Sequence, residues 1–459
     1  MNKVIVANSI GRLDDGSHLV LFPSRCTCNT RYEKPFSYFP YELAYLTALL
    51  KRETNHSVKM IDGNLRELTA AEYTEVISVE KPDWLIMEVA AIDYLLCLRI
   101  AKELKKRFGT KVIFTGAYAT ARPEEVSKEV DYVCLGEYEY SVLDILKGKP
   151  DVEGVYPHGM RDPLEINSLP WPDDIDICRM DYSEVSCDYP LAQVYASRGC
   201  PRKCSFCVAG NLYYKKTNWR FRNVVDVVNE IQFLRNKYGE RMQGAFFNEE
   251  IHNASKQFVL DLCNEIIKRN LNNLHYEAMC GYWMFDEEML EVMKKAGYYQ
   301  LRFGIETISK RVIKTIKSKP IYLDKLEKTL GIASKLGLKM YATAMVGTYE
   351  SSLKEDIATH NYLVDLTNRG LIHRRQGSVG IPQPGTPFYD WCKENGYIIT
   401  DDLTKYDFVQ PVMSYPHYKA EEIAYAFEIF GLKRKATKFD YLKWRIKQYI
   451  KKSLTKINK

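Results

Sequence analysis

Short apolar segments alternate with amphipathic helical segments along most of this chain, and this alternation restricts the fold more than any other feature. Within residues 1–150, five segments have the composition of buried strands: KVIVANSI, SVKMID, DWLIMEVA, KVIFTG and DYVCLG. Helical patterns of ten or more residues separate most of them, so consecutive strands are expected to run parallel. We therefore predict a doubly wound, Rossmann-like α/β domain over residues 1–150, with ligands beyond the carboxyl ends of its strands.

The alternation restarts further along the chain. Residues 191–384 contain six more predicted strands: QVYASRG, GAFFNEE, LHYEAMC, YQLRFGIE, KMYATAMVG and RRQGSVGI. Six strand–helix units predict a partial, TIM-like (β/α)6 barrel, whose chemistry lies at the carboxyl ends of the strands. Residues 151–190, with Pro170 and Pro172, are predicted to be a linker, and residues 385–459 a helical C-terminal region.

Length and composition agree with a multidomain globular protein. A chain of 459 residues exceeds one ordinary hydrophobic core. It has neither a membrane-length apolar run nor a secretory signal, which predicts a cytoplasmic location and reduced cysteines. Most of the 12 cysteines are scattered singly, and Cys26 and Cys28 are predicted to be ordinary thiols of a long first loop.

Three cysteines depart from this pattern. Cys200, Cys204 and Cys207 form a C-x3-C-x2-C motif directly after the first predicted barrel strand. Three thiolates can hold a four-iron cluster and leave one iron open for another ligand. A structural zinc site needs a fourth ligand close by, and the nearest downstream histidine, His252, is too distant in sequence. An iron–sulfur cluster is the favoured interpretation, and zinc or unliganded thiols are the alternatives.

The motif C-x3-C-x-aromatic-C, with Phe206 as its aromatic residue, resembles that of the radical S-adenosylmethionine (radical SAM) enzymes. The resemblance implies a 4Fe-4S cluster on the three cysteines, whose open iron chelates SAM. It also implies a one-electron reductant such as flavodoxin or ferredoxin. Cleavage of SAM would then produce a 5′-deoxyadenosyl radical that removes a hydrogen atom from an inert C–H bond, so the cofactors supply the difficult chemistry.

Other strand ends resemble the looser SAM-binding motifs of that family. Glu249 and Glu250 of FFNEE resemble the acids that meet the SAM amino group, and Glu306 of FGIET resembles the acid near the ribose. Val346 and Gly347 of MVGTYE resemble the segment that packs on adenine. The later PQPGTPFYD resembles the family's Pro-Gly-Thr-Pro element.

Cys280 is a further candidate near the end of the third predicted barrel strand. It precedes Gly281, where related enzymes often carry an arginine. Two interpretations remain open for Cys280: a small core residue, or a donor of a hydrogen atom or proton to a substrate intermediate.

The N-terminal half resembles the cobalamin-dependent subgroup of the family, through PYELAYLTALL, Asp62, FTGAYATARPEEV and LGEYEY. In that subgroup, glycine-containing turns approach the cobalamin. The residues that match these turns are Gly116, Ala117, Thr120, Gly136 and Glu137. The chain lacks D-x-H-x-x-G, so the resemblance implies no histidine ligand on the lower face of cobalt. A domain that has lost its ligand is the alternative.

These resemblances together imply a cobalamin-dependent radical SAM C-methyltransferase. One SAM molecule would methylate cobalt, and a second would generate the radical. A cobalamin-binding radical SAM cyclase or rearrangement enzyme is an alternative, as is a non-catalytic iron–sulfur or corrinoid-binding protein. The expected substrate is a small or lipid-linked molecule, and a nucleic-acid partner is not expected because the body of the chain is acidic.

The basic charge of the chain is concentrated at its C-terminal end. Residues 431–459 contain eleven Lys or Arg and one acid, so this segment carries +10 and leaves −4 on the rest of a +6 chain. Apolar residues recur there at helical spacing: Phe439, Leu442, Ile446, Tyr449, Ile450 and Leu454. The pattern predicts either a helix docked on the barrel with a solvated basic face, or a helix on an anionic membrane surface.

Overall fold

A computed structural model describes residues 1–21, 30–32, 36–316 and 322–457 of the protein. None of the helices in these ranges combines the length and apolar character needed to cross a bilayer. Two parallel sheets dominate the architecture, one in each half of the chain.

The first half contains a five-stranded sheet and a short hairpin. Its strands are β1 (Lys3–Ala7), β2 (His18–Val20), β3 (Thr30–Tyr32), β4 (Ser57–Ile61), β5 (Trp84–Glu88), β6 (Lys111–Thr115) and β7 (Tyr132–Val133). Its helices are α1 (Tyr41–Glu53), α2 (Ala70–Ser78), α3 (Tyr94–Phe108), α4 (Gly116–Ala121), α5 (Pro123–Val126) and α6 (Glu139–Leu146). The sheet order is β4-β1-β5-β6-β7, with every pair parallel.

Both faces of this sheet are buried, which is why its strands are almost continuously apolar. Val4 and Val6 pack in one core cluster, while Ile5 and Ala7 between them pack in another on the opposite face. Successive side chains of a strand point to opposite sides, so helices cover the sheet on both faces. The predicted parallel α/β arrangement is confirmed here. Gly109, in the left-handed region, ends α3 as its sequence position predicts.

The second half is built around a six-stranded sheet. The strands of this half are β8 (Leu191–Val194), β9 (Ser197–Cys200), β10 (Asn218–Phe221), β11 (Gly244–Phe247), β12 (His275–Cys280), β13 (Tyr298–Glu306), β14 (Lys339–Val346) and β15 (Arg374–Val379). Of these, β9 and β10 form a separate two-stranded sheet. Its helices are α7 (Val224–Tyr238), α8 (Lys256–Lys268), α9 (Glu287–Lys295), α10 (Lys310–Thr315), α11 (Leu323–Lys335), α12 (Leu353–Asn368), α13 (Pro387–Glu394), α14 (Ala420–Glu428) and α15 (Lys438–Ile457).

The six parallel strands follow one another in the order β8-β11-β12-β13-β14-β15, with β8 and β15 at the two edges. All six strands predicted for the partial barrel are present in this order. Side-chain caps begin several of the covering helices: Asn223 caps α7, Ser255 caps α8 and Asp286 caps α9. The carboxyl ends of all six strands therefore lie at one rim.

Local structure differs from the expectation at two places beside this rim. Residues 197–200 form the separate strand β9, which pairs antiparallel with β10. Gly116, expected in a turn at a strand end, instead begins the short helix α4. The strand β9 is short and contains Arg and Gly, so only its pairing with β10 identifies it as a strand.

Candidate active site

The three motif cysteines lie on one structured loop at the rim of the six-stranded sheet. Cys200 is the last residue of β9 and is paired with Asn218 of β10. Cys204 and Cys207 follow in a tight turn, in which the Cys207 amide donates to the Cys204 carbonyl at 3.1 Å. The loop then enters one turn of π-helix at Ala209–Tyr213. Cys200 thus ends a second short strand instead of directly following the first barrel strand.

Asn211 holds this turn in shape. Its side-chain amide donates to the carbonyl oxygens of Cys204 at 2.7 Å and Cys207 at 2.6 Å. Ser205, which follows Cys204, donates its amide to the carbonyl oxygen of Ile316 at 2.9 Å, and its own carbonyl accepts from the Phe388 amide at 3.0 Å. Asn211 was not among the residues predicted from the sequence, although its side-chain amide lies four residues after the last motif cysteine.

The motif thiols differ from most other cysteines in exposure. All three are half-buried, whereas Cys134 and Cys263 are buried and burial raises the pKa of both thiols. Thiolates, not thiols, bind iron, so partly accessible cysteines on one loop suit the task better than buried ones. Three sulfur donors on a fixed loop fit a four-iron cluster with one iron left open. The assignment of these ligands stays a prediction.

The two glutamates after β11 have different surroundings. Glu249 is buried, with its Oε1 2.7 Å from His252 Nδ1 and its Oε2 accepting from the Ala196 amide at 3.3 Å. Glu250 is half-buried and accepts from the Gly199 amide at 3.1 Å and the Tyr214 hydroxyl at 2.6 Å. Glu249 therefore connects the segment after β11 to a residue between β8 and β9, while Glu250 accepts from Gly199, the residue that precedes Cys200.

Glu306 ends β13 in an unusual conformation. Its φ is +63°, in the left-handed region that a residue with a side chain seldom adopts, and the register with β14 shifts at this point. Burial, and then the charge of Glu306, raise the pKa of Tyr282. Backbone strain of this kind clusters at functional sites. The structure thus places an acid next to a buried tyrosine at the end of the fourth barrel strand.

The segment after β14 is anchored by a buried carboxyl group. Gly347 has a φ of +67° and donates its amide to Asp356 Oδ2 at 2.8 Å. The Tyr415 hydroxyl donates to Gly347 O at 2.8 Å, and the Tyr418 hydroxyl donates to Asp356 at 2.9 Å. Val346 is fully buried in the core. Asp356 was not predicted from the sequence, where it is only the second acid in the first turn of α12.

The five cobalamin candidates lie together at the carboxyl edge of the first sheet. Thr120 Oγ1 donates to Gly116 O at 2.8 Å and accepts from the Gly136 amide at 3.0 Å. Glu137 is buried, 2.9 Å from Arg220 Nη2. Ala117 packs on Val208 and Leu212, which follow the cysteine loop. This edge therefore faces the cysteine loop of the other half.

Part of this edge also contacts the other half of the chain. A Cβ on Gly136 would lie 2.7 Å from the carbonyl oxygen of Tyr213, so the glycine serves contact within the chain. A cavity of about 10 Å³ remains between Ala117 and Leu212. Among the described residues, the buried Thr115 Oγ1 and Tyr213 hydroxyl lack hydrogen-bond partners. Buried polar atoms of this kind fit a polar ligand at the edge.

The remaining candidates lie in or beside the core. Cys280 is the last residue of β12 and packs in the barrel core, where burial raises the pKa of its thiol far above the usual range. Phe206 is half-buried against two core clusters. Cys26 and Cys28 lie outside the described residues. A donor role for Cys280 stays a prediction, and its surroundings are those of a core residue.

Comparison with protein families matches this part of the chain to a known domain. Residues 194–359, which include the cysteine loop and four barrel strands after β8, match the Radical SAM superfamily. This segment therefore carries a radical SAM domain. The identification made from the cysteine motif is confirmed.

Individual relatives of this chain match it over most of its length. "Uncharacterized methyltransferase PH0819" of Pyrococcus horikoshii is 26% identical over 406 residues, 84% of this chain and 85% of the relative. The methyltransferase TsrM of Kitasatospora setae, solved with cobalamin and a 4Fe-4S cluster bound, has a TM-score of 0.65 at 17% identity. That match covers 86% of this chain and 78% of TsrM. The cobalamin-dependent S-adenosylmethionine radical enzyme OxsB has a TM-score of 0.66 at 15% identity, covering 91% of this chain and 64% of OxsB. At these identities the structural likeness concerns the fold.

Proposed function

We propose that this protein is a cobalamin-dependent radical SAM C-methyltransferase. The observation that carries the proposal is the placement of three half-buried cysteines on a braced loop, between the rim of a partial barrel and the carboxyl edge of a doubly wound sheet. A curated relative that spans most of the chain is named a methyltransferase. When bound, the cluster and SAM supply a radical and cobalamin supplies a methyl carrier, so the protein has to bind, orient and shield them.

The cluster would be held by Cys200, Cys204 and Cys207. Asn211 fixes the turn between the last two ligands before any metal binds, because its side-chain amide donates hydrogen bonds to both of their carbonyl groups. Preorganised ligands lose less conformational entropy when they bind. Phe206, half-buried between the two halves, excludes water from one side of the loop.

SAM would lie along the rim of the barrel, near Glu250, Glu306 and Gly347. Glu250 offers a carboxylate beside the loop for the SAM amino group. The register shift at the end of β13 sets the direction of the Glu306 side chain, whose backbone is in the left-handed region. Gly347 gives a side-chain-free turn whose position depends on Asp356 and Tyr415. Glu249 is a positioning residue in this scheme because it is buried, with its carboxylate against His252 and the Ala196 amide, whereas Glu250 is half-buried.

Cobalamin would approach the edge formed by Gly116, Ala117, Thr120, Gly136 and Glu137. The unsatisfied Thr115 hydroxyl supports a polar ligand there. The substrate is a small or lipid-linked molecule, and the electron comes from a reductant such as flavodoxin or ferredoxin. We infer that residues 1–150 form the cobalamin domain, 151–190 the linker, 191–384 the SAM domain and 385–459 the C-terminal region.

The proposal is tested with anaerobically reconstituted protein carrying iron, sulfide and hydroxocobalamin. It is supplied with SAM labelled in its methyl group, a strong reductant and a metabolite extract from cells that lack the protein. Methyl transfer predicts 5′-deoxyadenosine, S-adenosylhomocysteine and label on a carbon of one metabolite, all detected by mass spectrometry.

The other outcomes identify the alternatives. Deoxyadenosine without S-adenosylhomocysteine or label would identify a cyclase or rearrangement enzyme. Visible cluster and cobalamin spectra without either product would identify a non-catalytic iron–sulfur or corrinoid-binding protein. A heat-treated sample and a Cys204→Ala variant serve as controls for chemistry outside the site.

A further inference from the structure

The C-terminal helix α15 exposes its apolar side chains instead of burying them. Its outer face carries Phe439, Leu442, Ile446, Tyr449 and Ile450, whose exposed fractions are 74%, 55%, 51%, 75% and 51%. We call these five residues the outer stripe. At 100° per residue they fall on one side of the helix. An exposed apolar stripe of this size marks a contact surface.

A different face attaches α15 to the rest of the protein. Trp444 is 7% exposed and packs with Tyr425 and Ile429. Tyr441 lies beside Trp444 and donates its hydroxyl to Glu422 at 2.9 Å. These anchors lie roughly opposite the outer stripe on the helix. The stripe is therefore not needed to hold α15 in place.

Positive charges border the outer stripe on both sides. Lys443 and Lys447 follow one edge, while Lys438 and Arg445 follow the other, by their spacing along the helix. Asp440 is the one acid between Gly431 and Lys459, and Arg434 holds its carboxylate at 2.6 Å. The exposed surface of the described part of α15 thus combines apolar side chains with cations.

We propose that α15 lies flat in the interface of an anionic membrane, with the outer stripe among the acyl chains. An amphipathic helix binds such an interface through its buried apolar area and through attraction between basic residues and acidic headgroups. Pairing of two copies through the stripe would bring their bordering lysines together, which like-charge repulsion disfavours. A nucleic acid would contact the cations but leave the stripe exposed to water.

A groove beside α15 supports the same occupant. Its volume is about 650 Å³. Its lining includes Leu353, Ile357, Leu442, Lys438 and Arg445. Apolar walls with two cations suit a lipid, whose acyl chain would pack on the leucines while its phosphate meets the basic side chains.

Co-sedimentation of the full-length protein with vesicles tests the proposal. Vesicles of phosphatidylcholine alone are compared with vesicles that also contain phosphatidylglycerol, at low and high salt. We expect binding to the anionic vesicles that weakens with salt, and little binding to the neutral ones. Lys443→Gln and Lys447→Gln should each lower the partition coefficient about five-fold, since each basic residue contributes on the order of 1 kcal/mol.

Two matched variants separate the stripe from a general effect of charge. Ile446→Glu changes the stripe, while Ile399→Glu makes the same substitution at a site of similar exposure, 54%, outside α15. The first should abolish vesicle binding and the second should preserve it. Both should keep the wild-type melting temperature and produce deoxyadenosine at the wild-type rate, because neither residue lies at the proposed active site.

Some results would overturn the proposal. Equal, negligible binding of the wild type to both vesicle types would do so, as would equal loss of binding in both glutamate variants. A dimer that dissociates on Ile446→Glu, without vesicle binding, would assign the stripe to self-association. Vesicle binding does not require catalysis, so failure here and failure of the methyltransferase proposal are distinguishable.

Discussion

At the scale of single residues, Asp356 shows how burial changes the behaviour of an acid. Its side chain has no access to water, and burial raises its pKa to about 7 although the Gly347 amide and Tyr418 hydroxyl partly stabilise the charge. The carboxyl group is protonated in the folded protein at pH 5, where the unfolded chain ionises it. Its protonation state is therefore coupled to folding.

Asp356→Asn should change how stability depends on pH. Because the folded-state pKa is above the unfolded value of 3.8, this group costs wild-type stability as pH rises from about 4 to 7. Asparagine does not titrate, so the variant should gain relative to wild type across that window, by on the order of 4 kcal/mol at most. Urea denaturation at several pH values measures the difference.

The control is Asp324→Asn, which alters an exposed acid in the first turn of α11. The stability of both variants relative to wild type is measured over the same pH range. A difference for Asp356→Asn that does not change with pH would show that burial does not raise the pKa of Asp356 in the folded protein.

Cys204→Ala should remove the iron–sulfur cluster. The substitution deletes one of three proposed thiolate ligands, and a cluster held by two is not expected to survive purification. Iron and sulfide analysis of anaerobically purified protein, with its visible spectrum, measures the loss. Cys178→Ala, which alters another half-buried cysteine, should retain the cluster. Full iron content in Cys204→Ala would refute the ligand assignment.

At the scale of elements, the turn after β7 and the π-helical turn after the cysteine loop depend on each other. Gly136 has a φ of +63° and leaves room for the carbonyl of Tyr213. Its amide donates to Thr120, which in turn donates to the carbonyl of Gly116. A change at any of these positions should alter the junction between the two sheets.

Gly136→Ala should therefore be more destabilising than an ordinary substitution of a left-handed glycine. Gly148 makes the matched control: its φ is +72°, and a Cβ there would meet no atom within 4 Å. Gly148→Ala should cost about 1–2 kcal/mol from backbone strain. Gly136→Ala should cost roughly 1–3 kcal/mol more from overpacking. Equal losses of unfolding free energy in the two variants, measured by urea denaturation, would show that the junction accommodates the added methyl group without overpacking.

At the scale of the whole molecule, buried ion pairs join the two sheets. Arg198 of β9 is fully buried, 2.6 Å from Glu139 and 3.5 Å from Glu137. Its guanidinium also lies over the ring of Tyr45, 4.9 Å from the centroid. These partners all belong to the N-terminal half. Because Arg198 lies on β9 two residues before Cys200, the charge pairing connects the candidate active site to that half.

Arg198→Met should destabilise the protein by about 3–5 kcal/mol, since it leaves the buried Glu139 carboxylate without its ion-pair partner. Arg99→Met is the control because Arg99 pairs with Asp14 at the surface, with both side chains more than half exposed. That variant should lose no more than about 1 kcal/mol. Denaturation monitored by circular dichroism measures both. Similar losses would show that the interior pair contributes little to joining the halves.

The sequence by itself determined the parallel strand–helix architecture and the cysteine motif. Period and composition are local properties, so KVIVANSI and GAFFNEE could be recognised as strands without knowledge of their neighbours. The cysteine spacing was sufficient to predict the radical SAM domain. The end of α3 could be predicted from Gly109 alone, because glycine commonly ends a helix. The amphipathic helix at residues 438–457 was equally local.

Only the tertiary structure decided how these elements meet. The sequence did not distinguish Glu249, which holds His252, from Glu250, which lies beside the cysteine loop, because both follow the same strand. The pairing of β9 with β10 was hidden because strand partners are distant along the chain. In α15 the sequence showed the apolar stripe, whereas the fold buried Trp444 instead. Periodicity establishes which residues share a face, but which face becomes covered depends on the surface that the helix meets after folding.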